Sequence, residues 1–519
     1  MMYITNDSSR HRDAPPRHAL FPSACPARLI FLETLMPTSP SASLDKAADV
    51  MAPTRTPRQK RKAFLGAIAG HLIEWYDYGV YGFVAIYVGQ AFFSAATPAI
   101  ALLSSFATFA LSFFMRPLGG FVFGPLGDRI GRKNTMALVM MLMSGSTFCI
   151  GLMPTYAAIG FAAPALLILA RCVQGLSAGG EIGTVTSYVA EYGGAKRRGL
   201  ATSLLMTIAV SGLLIGSIVA NGLAAILGDE AMQAYGWRIP FLVAGPLGLI
   251  AAYIRSRLED SAQFEAIAES GHQEKRPLRA LWKWKGNLLL VAGSISLLAS
   301  MFYMVLTFSS TYLVNTLGFT ATERFWFITV GGATAACLMP LGGLITDVWG
   351  RRPFLILTSA LTAPAVWWFF SSAPGATAQS LFLPFMACCV LFGLYSSTPY
   401  AVMTDMIPTQ VRATGISMAY NFPVAIFGGS APFIASYLIN LTGDITSPMY
   451  FFIGTAVLSF LSSCIISRRH YSRVEAADAA LLGAIASSRA VADAVAAEAA
   501  EEAAVENAAQ TSSSAHATL

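Results

Sequence analysis

The residues best suited to chemistry in this chain are charges placed where charge is costly. His71, Glu74 and Asp77 lie inside one apolar block. At 1.5 Å per helical residue, Glu74 stands about 15 Å in from Phe64, where that block begins. An ionised side chain at a bilayer centre costs about 2.5–3.5 kcal/mol on insertion scales, so its presence points to a use. Glu74 and Asp77 are i, i+3 neighbours on one helical face, and His71 sits one turn earlier. Two carboxylates this close in low dielectric disfavour double ionisation. Such a pair can take up and release a proton, which coupling to a proton gradient requires. The other reading is a permanently charged partner for a buried arginine. Asp77 ranks ahead of Glu74 as the proton carrier.

Two cations stand at comparable positions in other blocks. Arg171 lies about ten residues from the outer end of its block, near the same depth. Arg171, Gln174, Ala178 and Glu181 share one face through spacings of 3, 4 and 3. Gly175, Gly179 and Gly183 form a ladder on another face, as close helix packing requires. A buried arginine without a partner is costly, so Arg171 needs a carboxylate from the Glu74/Asp77 block or from a substrate. Glu181 is too far along the helix to serve. Arg116, followed by Pro117, is the second buried cation. Both arginines can anchor an anionic group through charge-assisted hydrogen bonds. For Arg116 a structural ion pair is an equal reading. The second half of the chain has almost no charge away from block ends. Its lining must come from Tyr303 and Thr307, Tyr395 and Ser396, and Tyr420 and Asn421, although an aromatic in a span more often simply packs. Pro423, Gly428 and Gly429 mark a helix that bends.

The elements that position these residues follow from composition. Of 519 residues, 55% are hydrophobic and 12% charged, with mean hydropathy +0.58. A soluble domain is about 25% charged. The surplus apolar surface needs lipid as its solvent, and a spanning helix takes roughly 20 apolar residues. Residues 64–467 divide into twelve candidate helices: 64–90, 101–125, 135–153, 161–189, 200–227, 237–254, 287–315, 322–346, 353–371, 379–404, 413–440 and 447–467. The expected fold is an all-α integral membrane protein of twelve transmembrane helices in two six-helix halves. Residues 1–60 read as a disordered N-terminal tail, within which Met36 and Met51 are alternative starts to Met1. Residues 61–254 form the first half, 255–286 a central loop, 287–467 the second half, and 468–519 an Ala/Glu-rich tail. The stretch 474–509 of that tail is expected to form a solvent-exposed helix without heptads. Segment 21–35 is too interrupted by Pro26, Arg28 and Glu33 for a signal peptide. The net charge is +6, and six of the seven cysteines lie in apolar blocks, where cysteine behaves as a small hydrophobe.

Basic residues cluster on alternate loops: Arg58 to Lys62, Arg129/Arg132/Lys133, Lys196/Arg197/Arg198, Arg351/Arg352, Arg412, and Arg468/Arg469. The positive-inside rule then puts both termini in the cytoplasm. The central loop, with seven basic and five acidic residues, falls on the same side.

The halves repeat one another. Gly124-x3-Asp128-x2-Gly131-Arg132-Lys133 returns as Gly343-x3-Asp347-x2-Gly350-Arg351-Arg352, at an offset of 219. Glu191-x6-Arg198 returns as Asp405-x6-Arg412, at an offset of 214. Two repeated motifs imply parallel halves with a site between them near midplane. Acids and arginines at these helix ends can pair in one state and separate in another. Asp128, Arg132, Glu191 and Arg198, echoed by Asp347, Arg351, Asp405 and Arg412, are therefore expected to form a cytoplasmic gate. The alternative is static topology signals and loop solvation. The chain has no GxxxxGK phosphate loop, no HExxH and no Cys/His cluster, so no cofactor or metal is expected.

These motifs resemble the major facilitator superfamily. EWYDYGVYG at 74–82, RPLGG at 116–120, RCVQGLSAGGEIG at 171–183, GWRIPF at 236–241 and FGGSAP at 427–432 resemble its metabolite:proton symporters more narrowly. The resemblance covers residues 64–467 and implies carriage of α-ketoglutarate, citrate, shikimate, or betaine and proline with protons. STFCIGLMP and the EWYD segment look like the osmoprotectant branch. VRATGISMAYNFPVAIFGGSAP and LTGDITSP look like the citrate and α-ketoglutarate branches. Residues 200–227 lack the GPxxGG motif of drug antiporters. The expectation is a proton symporter, not an enzyme, in the cell inner membrane. It would import a small organic acid, with an osmoprotectant symporter and a non-transporting sensor as alternatives. Its expected partners are substrate, protons and lipid, without nucleic acid.

Overall fold

The computed structural model describes residues 57–93, 98–256, 260 and 262–488. Twelve long helices carry the chain across. The first six are α1 (Pro57–Phe92), α2 (Pro98–Ile130), α3 (Arg132–Leu152), α4 (Ala162–Gly193), α5 (Arg198–Ala231) and α6 (Arg238–Ser256). The next is α7, in which Lys285–Tyr303 continues through wide π-helical turns at Met304–Phe308 and Tyr312–Thr316. Then come α8 (Ala321–Trp349), α9 (Arg351–Ser371) and α10 (Ala378–Met406). In α11, Arg412–Pro423 opens into a π-helical turn at Val424–Gly429 and resumes as Ala431–Thr442; α12 is Pro448–Ile465.

Eleven of these, α2 to α12, are long and apolar enough to cross a membrane. The twelfth, α1, is 36 residues long. It carries His71, Glu74 and Asp77, which lower its hydropathy, yet all three are buried. The outer surface is apolar: Phe161 is 80% exposed, and Ile226 and Val348 are 81% exposed. Side chains of this kind are stable outward only against lipid.

The repeat in sequence returns as a repeat in packing. In each half the second helix lies on the fourth, the first on the fifth and the third on the sixth. Between halves, α11 packs on α2 and α4, while α5 packs on α8 and α10. Gly131 and Gly350 end α2 and α8 at the two repeated loops with φ of 101° and 90°. That backbone region is open mainly to glycine. The glycine ladder of α4 faces α2. A Cβ on Gly175 would meet the carbonyl of Ser112, and one on Gly179 the carbonyl of Arg116.

Three sequence expectations are refined. Of the N-terminal tail, residues 1–56 lie outside the described residues, and 57–60 begin α1. Arg255, counted with the central loop, is fully buried in the last turn of α6. The tail helix, described over 468–488, is not simply solvent-exposed, and residues 489–519 lie outside the described residues. Its Leu481 and Ile485 pack with Ile267 of the central helix Ala262–Glu269. Its Asp478 accepts hydrogen bonds from the Thr409 amide (2.9 Å) and hydroxyl (3.0 Å). An apolar stripe and one acid give this segment a docking face that its Ala/Glu composition conceals.

Gly179→Ala should separate α2 from α4 and lower stability by about 1–3 kcal/mol, as overpacking does. A thermal unfolding midpoint measured in detergent reads this. Gly82→Ala, whose added Cβ meets open space, is the control and should leave the midpoint in place.

Candidate functional site

Deep in the first half, α1, α3 and α4 bring Asp77, Thr147, Arg171 and Gln174 together. The Gln174 amide donates to Asp77 Oδ2 (3.0 Å) and to Thr147 Oγ1 (2.6 Å). Arg171 Nη1 lies 3.6 Å from Asp77 Oδ2. Its guanidinium stacks 3.4 Å over the Tyr81 ring, and Tyr81 donates to the Ser105 carbonyl. A cation on an aromatic face keeps some of the stabilisation it loses with water. Nε, Nη1 and Nη2 of Arg171 are nevertheless buried without a hydrogen-bond acceptor.

Glu74, one turn away, lies 3.6 Å from Arg116 Nη2. Arg116 rests over Tyr78 and Phe113, each 4.8 Å from ring centroid to guanidinium carbon. Its Nε and Nη2 also lack an acceptor. The rigid perch of Arg116 comes from the glycine contact of α2 with α4, because Gly179 abuts its own carbonyl.

A third pair lies nearer the Lys/Arg-rich end of the bundle. Arg255 Nη2 donates to Glu181 Oε1 (2.7 Å) and to the Ala67 carbonyl (2.8 Å). His71 Nδ1 is 3.1 Å from Glu74 Oε2 and 3.8 Å from Glu181 Oε1. Glu181 is thus too far to reach Arg171, as its spacing implied, and Arg255 is its partner. His71, Glu74 and Glu181 offer ligand atoms within 4.8 Å of one another. Both carboxylates already face guanidinium groups, so the group is poorly charged for a divalent cation.

Sequence reasoning placed His71 beside the carboxylates and Glu181 on the Arg171 face without giving either a role, and it left Arg255 out. Arg255 closes an apolar block, where charge reads as loop. The usable signal was Glu181, a carboxylate in a glycine-rich span whose one cation, Arg171, lies too far along the helix to pair with it.

The second half contributes unevenly. Tyr303 meets Phe113 edge to face at 5.4 Å, and its hydroxyl has no hydrogen-bond partner. Asn421 crosses between halves to donate to the Gly179 carbonyl (2.7 Å), while its Oδ1 is unpartnered. The Tyr420 hydroxyl accepts from Tyr400 (3.3 Å). Tyr395 is a correction. Its hydroxyl bonds the Ser294 carbonyl and Ser459, so it ties α10 to α7 and α12 inside the second half. The structure brings it to neither buried arginine. Helical spacing alone does not say which face of α10 meets the other half.

At the basic end the eight residues of the repeated motifs fall into two groups, Asp128, Arg132, Glu191 and Arg412 in one and Arg198, Asp347, Arg351 and Asp405 in the other. Asp128 accepts from the amides of Ala413 (3.1 Å) and Thr414 (2.9 Å) and from the Thr414 hydroxyl (2.6 Å). It therefore caps the N-terminus of α11, where the helix dipole favours an anion. Asp347 caps α5 in the same manner, through Gly199 (2.8 Å) and Leu200 (2.9 Å). Glu191 joins Arg132 (2.9 Å) and Arg412 (3.1 Å). Asp405 joins Arg198 (2.7 Å) and Arg351 (3.2 Å). Asp478 adds a contact to Arg412 at 3.5 Å. Arginine pairs alone were expected; Asp128 and Asp347 also cap helices of the opposite half, and Asp347 pairs with Arg351 (2.8 Å) as well.

The family model of the Major Facilitator Superfamily matches residues 67–427. This chain belongs to that superfamily. A glycine betaine/proline/ectoine/pipecolic acid transporter, OusA, of Dickeya dadantii (strain 3937) is 34% identical, over 78% of this chain and 82% of its own. The alpha-ketoglutarate permease of Escherichia coli (strain K12) is 33% identical, over 81% and 97%. The citrate-proton symporter of Klebsiella pneumoniae is 30% identical, over 83% and 98%. A solved structure of the proton:xylose symporter XylE with 6-bromo-6-deoxy-D-glucose superposes with TM-score 0.67. It covers 79% of this chain and 95% of XylE at 16% identity, a likeness of fold. Among these relatives the chain stands with the superfamily's metabolite:proton symporters, as a multi-pass membrane transporter.

Replacing one partner of a buried ion pair leaves the other uncompensated, at about 3–5 kcal/mol. Glu191→Gln takes its charge from both Arg132 and Arg412. It should lower unfolding stability by about that amount and raise thiol labelling of cysteines introduced at the basic end.

Proposed function

We propose that this transporter imports a small organic acid, such as α-ketoglutarate or citrate, together with protons, by alternating access. The observation that carries the reading is the set of buried Arg171 and Arg116 donors without acceptors. A guanidinium fork matches a carboxylate in both geometry and charge. Asp77 and Glu74 lie beside these arginines at 3.6 Å, close enough to balance charge but too far to satisfy the donors.

In this mechanism a proton binds at Asp77 or Glu74 from outside. Neutralising the acid frees its arginine, and the substrate carboxylate takes its place. Gln174, Tyr303 and Asn421 supply neutral polar contacts. The basic end is the cytoplasmic end, and both termini lie there, in a cell inner membrane. Asp128, Arg132, Glu191 and Arg198 with Asp347, Arg351, Asp405 and Arg412 act as the gate. They hold the halves together until substrate and proton are bound, then part to release both. One charge moving through 100 mV supplies about 2.3 kcal/mol, enough for roughly fifty-fold accumulation.

A second reading has a specific observation behind it. Tyr78 and Phe113 already hold a cation, that of Arg116, on their faces. Such rings also suit the quaternary ammonium of a betaine. Proline and betaine are carried by relatives at a similar identity.

Uptake into proteoliposomes of labelled α-ketoglutarate, citrate and glycine betaine, with and without a protonophore, separates these readings. Protonophore-sensitive accumulation of an acid supports the first. Accumulation of betaine instead moves the assignment to osmoprotection. Binding without accumulation points to a sensor. Under the first reading Asp77→Asn should abolish uphill uptake, and undiminished accumulation would remove Asp77 as the proton site. Arg171→Lys, which loses the bidentate fork, should weaken apparent substrate affinity about tenfold or more.

A further inference from the structure

His71 is fully enclosed, and the mechanism above leaves it without a task. Its two ring nitrogens face different neighbours. Nε2 is 3.2 Å from the Trp75 indole nitrogen, which can only donate. In the neutral ring Nε2 is therefore the acceptor, and the single ring proton is assigned to Nδ1. Nδ1 is the nitrogen that faces both Glu74 (3.1 Å) and Glu181 (3.8 Å).

The order of these groups has a direction. The helix α1 runs away from the basic end, so Asp77, Glu74 and His71 descend toward that end over about 9 Å. Helix α4 runs the opposite way, which places Glu181 closer to the basic end than Gln174 or Arg171. Arg255, in the last turn of α6, holds Glu181 there. The charged neighbours of His71 are Glu74 on its own helix, Glu181 on α4, Arg255 on α6 beyond Glu181, and Arg116 on α2 beyond Glu74. Helix α5 carries no ionisable side chain between Arg198 and Asp229, and α3 carries no charge after Lys133.

We propose that His71 is a proton-transfer station between Glu74 and Glu181, and that the Trp75 indole shuts it while the basic end is closed. The proposal rests on the reading of proton symport. To accept a proton from Glu74, Nδ1 must be bare and the ring proton must move to Nε2. There it would face the Trp75 N–H head to head. Imidazolium meets the same conflict. Trp75 is also bound to the other half, since its ring packs on Phe302 of α7 at 4.9 Å. Rearrangement of the halves that moves Phe302 and withdraws the indole lifts the block. The Glu74 carboxyl then gives its proton to His71, leaving a carboxylate and an imidazolium. The imidazolium gives a proton to the Glu181 carboxylate and returns to neutral imidazole. Glu181 passes it on to the cytoplasmic side, so the indole is the barrier to release. Proton release thus has its own route, gated by the same motion that releases substrate.

The full-length protein in liposomes with a trapped pH indicator tests this without any substrate. Wild type should pass few protons under an imposed potential. Trp75→Phe keeps an aromatic ring and deletes the donor, so substrate-free proton conductance should rise by about tenfold at least, a lower bound against the roughly 10²–10⁴-fold effect of a positioned proton-transfer group. His71→Gln in the Trp75→Phe background should return it to the wild-type level. A folded Trp75→Phe protein that conducts no better than wild type overturns the proposal. So does conductance that persists in the double variant. Should Trp75→Phe fail to fold, nitrogen NMR of histidine-labelled wild type in nanodiscs decides, with His71→Gln for assignment. Near neutral pH the ring should show Nδ1 protonated and Nε2 bare; the reverse tautomer or an imidazolium overturns the proposal. If wild type accumulates none of the three substrates while these results stand, symport of those substrates fails and the proton route does not.

Discussion

An ionised side chain inside this bundle must find an opposite charge, because burial in low dielectric without one costs several kcal/mol. That constraint organises the first half. Glu74, Asp77 and Glu181 face Arg116, Arg171 and Arg255, three acids against three bases. With all six ionised and His71 neutral the cluster carries no net charge. One added proton leaves it one positive charge in excess, which a substrate carboxylate can answer. Under the organic-acid reading, proton and anion would favour each other's binding through charge balance, with no need for direct contact between them. A zwitterion such as betaine brings its own cation, so the aromatic faces near Arg116 would have to take that charge.

The rest of the bundle supports this cluster. Close approach of α4 to α2 at Gly175 and Gly179 sets the depth and aim of Arg116. Glu74 and Asp77 of α1 face Arg116 of α2 and Arg171 of α4, and Glu181 of α4 faces Arg255 of α6, so the pairs also bind the helices of the first half to one another. The second half presents neutral groups, Tyr303, Tyr420 and Asn421, toward the first. This asymmetry suits a machine in which charge stays with one half while the other moves past it.

At the basic end the chemistry differs. There Asp128 and Asp347 meet helix N-termini of the opposite half, and Glu191 and Asp405 each join one arginine of their own half to one of the other, so each acid has at least one link that crosses between the halves. Such contacts are strong one by one, yet each is a discrete switch between made and broken. The tail helix joins in through Asp478, and the central helix through Ile267. Both segments lie where a change in their docking would bear on the gate.

Much of this was legible in the chain alone. Apolar block lengths, alternate basic loops and two motifs repeated at offsets of 219 and 214 define a twelve-helix, two-half membrane fold, because lipid leaves few other solutions. The same cost of burying charge singled out Glu74, Asp77, Arg116 and Arg171. Pairing was another matter. Helical periodicity tells which residues share a face but not which neighbour that face meets. Hence Tyr395 was expected at the site and lies inside its own half, whereas Arg255 read as loop and is buried on Glu181. The acceptor role of His71 Nε2 depends on one indole N–H four residues along the same helix, whose ring packs on a ring of the opposite half. Sequence determined that charges must be paired inside a two-fold helical bundle; only tertiary packing decided which charge meets which, since partners come from helices far apart in the chain.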